Sequence, residues 1–258
     1  MEELLLEIIK CPNFTKGPVE GHPCCEILKC QNEGIRQVPE PWNGNIRTAK
    51  ILFLSSNPSI GYDEKYPTFD DEKGKLSKDW GEKEVIDYFV NRFSKEHRYV
   101  KDYLYPKKDG DENSGYMTGF VRFWAAVRSM ATVIIGRPAI PGDDYAIAEI
   151  VRCKSKAERG VIAATDECIN NYLDRTIELS GAKIIVCLGE KVRPKVYYKY
   201  KPIIISQKSD DKENEIWEMQ FNGRKIMLLF LPHPNAHKER NISKLFGDKL
   251  HLITKALQ

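Results

Sequence analysis

Two sets of side chains in this 258-residue chain are placed to do chemistry: a rigidly held histidine with an asparagine, and a group of cysteines. His233 lies between two prolines in Leu231-Pro232-His233-Pro234-Asn235, directly after the apolar run 225–231. Proline on both sides fixes the backbone and excludes a helix, which suits an imidazole that must move or share a proton from one position. Asn57 follows another apolar run, Ile51-Leu52-Phe53-Leu54, in the polar segment Ser55-Ser56-Asn57-Pro58-Ser59. Neighbouring parallel strands would deliver both groups to one edge of a sheet, where ligands bind in open α/β folds.

The seven cysteines divide by position. Cys11, Cys24, Cys25 and Cys30 crowd the N-terminal arm, Cys153 and Cys168 are separated by fourteen residues, and Cys187 sits inside an apolar run. Four thiolates gathered from the first two groups suit a 4Fe–4S cluster or a structural zinc. Unrelated buried thiols are the alternative, since no Cys-x-x-Cys pair is present, and Cys187 reads as a core thiol.

The elements that must carry these residues follow from periodicity. Residues 2–10 read as a short amphipathic helix, and residues 12–48, rich in Pro, Gly and Asn, as irregular chain tied down by something other than a core. The stretches 51–54, 145–152, 184–188 and 225–231, mostly apolar, read as four core strands. Residues 85–93, 120–133, 166–180 and 242–256 read as helices, with Phe120, Phe123, Trp124 and Val127 on one face of the second. Residues 99–115 read as a loop, and 202–220 as a β excursion. Strands alternating with helices predict an α/β fold, a mainly parallel sheet sandwiched by helices.

Composition bounds the partners. Forty Lys and Arg against 37 Asp and Glu leave a net charge of +3, too small to indicate nucleic acid from bulk charge. No run approaches 18 apolar residues and the acidic start Met1-Glu2-Glu3 is unlike a signal peptide, so a soluble cytoplasmic protein with no membrane partner is expected. Thiols there stay reduced, which favours metal or core roles over disulfides.

The order of these motifs resembles the uracil-DNA glycosylase superfamily: a strand into S-S-N-P-S, ten residues to Phe69, E-I-V-R-C at 149–153, then Cys168, I-V-C-L-G-E at 185–190 and L-P-H-P-N at 231–235. The cysteine pair is similar to the iron–sulfur class (family 4), while the first loop is closer to the mismatch-specific and single-strand-selective classes. The resemblance implies a three-layer α/β/α sandwich around a four-stranded sheet, one domain over 1–258 with a cysteine-rich arm over about 1–48. It implies a monomeric, monofunctional DNA glycosylase that removes uracil or another deaminated base in base-excision repair. Asn57 would hold or polarise the attacking water and His233 would donate toward the base O2. Ser56, Phe69 and Glu149 would hold the flipped base, with Phe69 stacking on it. Pro58, Ser59, Pro234, Asn235, His237, Lys238 and Arg240 would contact DNA. Cys153 and Cys168, with two of Cys11, Cys24, Cys25 and Cys30, would hold a structural 4Fe–4S cluster, zinc being the alternative.

Two departures bear on mechanism. Ser56 stands where the iron–sulfur class has a glutamate, and Glu149 stands where the family has an asparagine that reads uracil. A protonated Glu149 could mimic the amide, a carboxylate could accept the paired donors of a guanine-type edge, or a register shift could leave it outside the pocket. Other readings are a non-catalytic or covalently trapping base-binding protein of the same fold, and a metal-dependent hydrolase using His22, His233 and His237. The histidines lack the close helical spacing of ligand pairs.

Overall fold

A computed structural model describes residues 1–31, 36–61, 63–70, 75–94, 99–101, 103–107, 116, 120–207, 216–236, 238–239 and 241–258. The loop expected over 99–115 lies largely outside the described residues, as do His237 and Arg240. The described strands, in chain order, are β1 (Arg36–Gln37), β2 (Ile51–Ser55), β3 (Thr68–Asp70), β4 (Lys75–Leu76), β5 (Tyr145–Glu149), β6 (Ile184–Leu188), β7 (Ile204–Gln207), β8 (Ile216–Phe221) and β9 (Arg224–Leu231). No described helix is long and apolar enough to cross a membrane. The chain divides into two compact units: a sheet unit (Gly44–Ser55, Val121–Ala148, Ile177–Gln258) and an arm unit (Met1–Asn43, Ser56–Phe120, Glu149–Thr176).

The sheet unit is built on a six-stranded mixed sheet in the order β5-β2-β6-β9-β8-β7. All residues of β2 and β6 are buried, as parallel strands covered on both faces require. β2 pairs parallel to β6 with Phe53 opposite Val186, and β6 parallel to β9 with Cys187 opposite Phe230. The four expected core strands are present, but the expected strand count of four is corrected to six. The excursion over 202–220 extends the same sheet, with β8 antiparallel to β9 and β7 antiparallel to β8. Its burial explains why: Ile216, Met219 and Phe221 are covered while Gln220 is exposed, the pattern of a strand near an open edge.

Helix Val192–Tyr200 packs on β6, and helix Arg122–Ile135 packs with Ile242–Phe246 and Leu250–Ala256. Arg122–Ile135 starts two residues later than periodicity predicts, so Phe120 precedes it and is exposed. The single closing helix expected over 242–256 is interrupted by a 3-10 turn, Gly247–Lys249.

The arm unit holds a small antiparallel sheet, β1-β3-β4, with Arg36 opposite Phe69 and Phe69 opposite Leu76. Its helices include Glu2–Ile9, which packs against Glu82–Val90, and the short turns Pro12–Thr15 and Cys25–Leu28. The expectation that residues 12–48 lack a core is corrected: Phe14, Ile27, Val38 and Trp42 of this stretch are fully buried. These apolar side chains are spaced irregularly between turns, so no helical or strand period announces them. Helix Val161–Cys168 continues through a π-helical turn, Ile169–Leu173, into Asp174–Leu179.

Four of the buried charges in this unit form one network. Arg92 donates to Glu40 (3.0 Å), Asn43 (2.8 Å) and Glu64, while Lys154 donates to Glu64 (3.2 Å). Tyr66 donates to Glu40 and Tyr88 to Glu64, and the Lys154 ammonium lies 3.6 Å from the Tyr66 ring centroid. Two cations balance two carboxylates, and the phenols and the Asn43 amide take up further lone pairs, the condition under which buried charge is tolerated. Burial pushes the Glu64 carboxyl up, but Lys154 and Arg92 outweigh it and hold it below the ordinary value. Arg92→Met leaves two buried carboxylates sharing one cation. It is expected to destabilise the protein by roughly 3–5 kcal/mol, read as a fall in the denaturant midpoint.

Candidate active site

Because β2, β6 and β9 are adjacent and parallel, their carboxyl ends lie along one edge of the sheet. β6 runs into Gly189 and β9 into Pro232-His233. The Gly189 N–H donates to the Leu231 carbonyl at 2.8 Å, which ties the two exits together. Gly189 has φ +93°, and a Cβ there would lie 3.2 Å from the His233 Cβ. Its backbone therefore passes close behind the imidazole, in a conformation that L side chains rarely adopt.

The His233 ring stacks on Phe123, with centroids 5.6 Å apart and planes 20° from parallel. Nδ1 of His233 accepts the Asn235 backbone N–H at 3.2 Å. A neutral ring that accepts at Nδ1 carries its proton on Nε2, so the imidazole offers an N–H donor from a fixed orientation. Pro234 is buried and Asn235 exposed; Lys238 pairs with Glu190 at 2.8 Å.

In the arm unit, the chain that follows β2 lies beside the chain that follows β5. Val151 N–H donates to Ser56 O (3.0 Å), Ser155 N–H to Pro58 O (3.0 Å) and Ile60 N–H to Ser155 O (3.2 Å), a short parallel ladder. Within it the Asn57 amide nitrogen donates to Ser155 Oγ and to Pro58 O, both at 2.9 Å. With both amide hydrogens engaged, the group Asn57 can present to a water is Oδ1. Ser56 Oγ donates to Glu158 Oε1 at 3.1 Å and lies 3.5 Å from Asn57 Oδ1. Pro58 is buried and Ser59 exposed.

Phe69 lies in β3, 3% exposed, with its ring 5.5 Å from that of Phe14. Stacking on a base would require this ring to be uncovered. Glu149, the last residue of β5, is 4% exposed and lies within electrostatic range of the Arg152 guanidinium. Burial lowers Arg152 to about 10, and its Nη1 and Nη2 donate to Pro41 O and Thr176 Oγ1.

The uracil DNA glycosylase superfamily model matches residues 41–249, which takes in both strand-end loops. The chain belongs to the uracil DNA glycosylase superfamily. No curated protein matches it. Members of this superfamily are usually DNA glycosylases, hydrolases that act on DNA.

In this glycosylase-family chain the thiols of Cys11, Cys24, Cys153 and Cys168 are near enough to act on one another electrostatically. Burial raises Cys24 to about 12, Cys168 to about 11 and Cys153 well above the ordinary thiol value, and neighbouring thiols add to each rise. The Arg152 backbone N–H donates to Cys168, the Arg36 charge acts on Cys153, and Tyr172 shares a hydrogen bond with Cys11. The other arm cysteines turn elsewhere, Cys25 toward Glu20 (3.7 Å) and Cys30 toward the Glu26 carbonyl (3.4 Å). Cys187 is raised by burial alone. Among the described residues, no three His, Cys, Asp or Glu are grouped so as to hold one metal ion.

Phe123, Ser155 and Glu158 escape the sequence reading of the site. Phe123 sits in a helical apolar face and looks like core, while Ser155 and Glu158 lie in the charged run K-S-K-A-E-R-G, which reads as a solvated loop. Gly189→Ala adds a Cβ beside His233 at a strained φ. It is expected to lower the unfolding temperature and shift the His233 imidazole NMR resonances; unchanged resonances would mean the Gly189 backbone does not set the ring position.

Proposed function

We propose that the protein hydrolyses the N-glycosidic bond of uracil, or of another deaminated base, in a nucleotide flipped out of DNA, as a monofunctional enzyme of base-excision repair. The superfamily match over residues 41–249 carries this reading. Glycosidic cleavage builds positive charge on the sugar and negative charge on the departing base. The enzyme must supply a positioned water and a donor for the anion.

His233 is the donor in this reading: its Nε2–H stabilises the negative charge at base O2. The acceptor bond at Nδ1 and the stacked Phe123 ring support that role, because they restrict both tautomer and rotation. Asn57 holds the water through Oδ1, supported by the two bonds that fix its amide nitrogen. Ser56 and Glu149 line the base. Pro58, Ser59, Pro234, Asn235 and Lys238 approach the DNA strand, with His237 and Arg240 assigned there from sequence. Positioning donors and acceptors before the charge develops avoids reorganisation during the reaction.

Cys11, Cys24, Cys153 and Cys168 would hold a 4Fe–4S cluster. The donor set fits: four thiols act on one another, and the Arg152 and Arg36 cations are among their electrostatic neighbours, which favours a thiolate-bound anionic group. A structural zinc held by the same four thiols is the alternative. When bound, the cluster supplies a structural clamp on residues 11–24, 153 and 168.

Incubation with uracil-, hypoxanthine- and xanthine-containing oligonucleotides followed by alkali tests the activity. Strand breakage is expected, with Asn57→Ala and His233→Ala each about 10²-fold slower or more; no cleavage of any substrate sinks the reading. Glu149→Asn is expected to shift preference toward uracil, and an unchanged substrate range would remove Glu149 from base recognition. Serine at position 11, 24, 153 or 168 is expected to remove the visible absorption and bound iron. Serine at 25, 30 or 187 is expected to leave both, and the opposite pattern would reassign the ligands.

A further inference from the structure

Hydrolysis leaves a proton on the attacking water that some group must accept, and the Asn57 amide cannot keep it. The groups hydrogen-bonded around Asn57 are a carbonyl, Pro58 O, and the hydroxyls of Ser155 and Ser56. Behind Ser56 stands a carboxylate, Glu158, which accepts the Ser56 Oγ–H at 3.1 Å. Of these groups Glu158 is the one with proton-accepting capacity at neutral pH.

We propose that Glu158, acting through Ser56, is the terminal acceptor of the water proton. The proposal rests on the glycosylase reading above. Glu158 touches no substrate atom. As the water oxygen bonds to C1′, the C1′–N bond breaks and its electron pair leaves on the base. One water proton passes to Ser56 Oγ while the Ser56 proton passes to Glu158 Oε1. The base anion is protonated from solvent, and Glu158, which is exposed, returns its proton to solvent.

The local backbone supports a fixed Glu158. Ala157 and Glu158 have φ of +49° and +57°, two consecutive left-handed conformations in residues with a Cβ. An exposed glutamate gains nothing from that conformation by itself, and such strain persists where the surroundings impose it. The imposition is visible on both sides. Arg159 N–H donates to Lys156 O (3.1 Å), Val161 N–H to Glu158 O (3.2 Å), and the Arg159 side chain pairs with Glu26 at 3.0 Å. Gly160 follows at φ +73°, where an added Cβ would fall 2.3 Å from the Ile27 nitrogen, so the turn is pressed against the arm. On the other side, the ladder to residues 151–155 fixes the backbone at Ser56, whose hydroxyl the carboxylate meets.

The test measures single-turnover release of uracil, together with DNA affinity by anisotropy and thermal unfolding, for the full chain with E158Q, E158A and S56E/E158A. E158Q keeps an acceptor for Ser56 and loses the proton-accepting charge. It is expected to be about 10²-fold slower, with affinity within about twofold of the parent and an unchanged unfolding temperature. S56E/E158A moves the carboxylate into the first loop and is expected to recover at least about tenfold over E158A, a rescue that a merely structural Glu158 would not permit. E158Q at the parent rate, or a folded S56E/E158A no faster than E158A, overturns the proposal and leaves the glycosylase reading standing. A parent protein that releases no base from any of the three oligonucleotides overturns both.

Discussion

The arm unit depends on one buried knot of charge. Glu40 comes from the chain after β1, Glu64 from the chain leaving β2, Arg92 from the end of helix Glu82–Val90, and Lys154 from the chain leaving β5. A charge taken out of water is tolerable only with its partners in place, so each of these four stretches requires the others. Lys154 also sits between Cys153 and Ser155. The knot that closes the unit thereby sets the segment that carries a thiol on one side and the Asn57 partner on the other.

Around that anchor, rigidity comes from polar contacts. The parallel ladder between 56–60 and 151–155 spends backbone hydrogen bonds on two loops that would otherwise be solvated. Its effect is chemical as well as structural, because it turns the Asn57 amide so that an oxygen is presented and brings Ser56 to Glu158. In the sheet unit the corresponding device is different. A glycine at positive φ lets the backbone pass beside His233, and an aromatic ring covers the imidazole face. Both devices restrict side chains of the candidate site, as the proposed electrostatic catalysis would require.

The thiols illustrate how sequence and structure divide the work. The family resemblance implies Cys153 and Cys168 with two of four arm cysteines as candidate ligands, and it can go no further, because adjacent Cys24 and Cys25 are indistinguishable by position. Folding separates them. Cys24 is turned toward Cys11 and Cys168, and Cys25 toward Glu20, since neighbouring residues in a helical turn point about 100° apart.

The sequence by itself determined the strands that carry the site. Apolar runs of strand length ending in Asn-Pro and Pro-His-Pro identify β2 and β9, their parallel setting and the residues at their exits, because burial on both faces writes itself as uninterrupted hydrophobicity. It also singled out His233, Asn57 and the two later cysteines as candidates. Tertiary structure alone decided which polar groups meet. Glu158 is 102 positions from Ser56, Ser155 is 98 from Asn57, and Arg92 is 52 from Glu40. Nothing local marks such pairs, since a charged side chain in a buried knot and one in a solvated loop have the same neighbours in sequence. The added strands β7 and β8 were equally undetermined in their sheet membership, because an alternating strand records that one face is covered without recording by what.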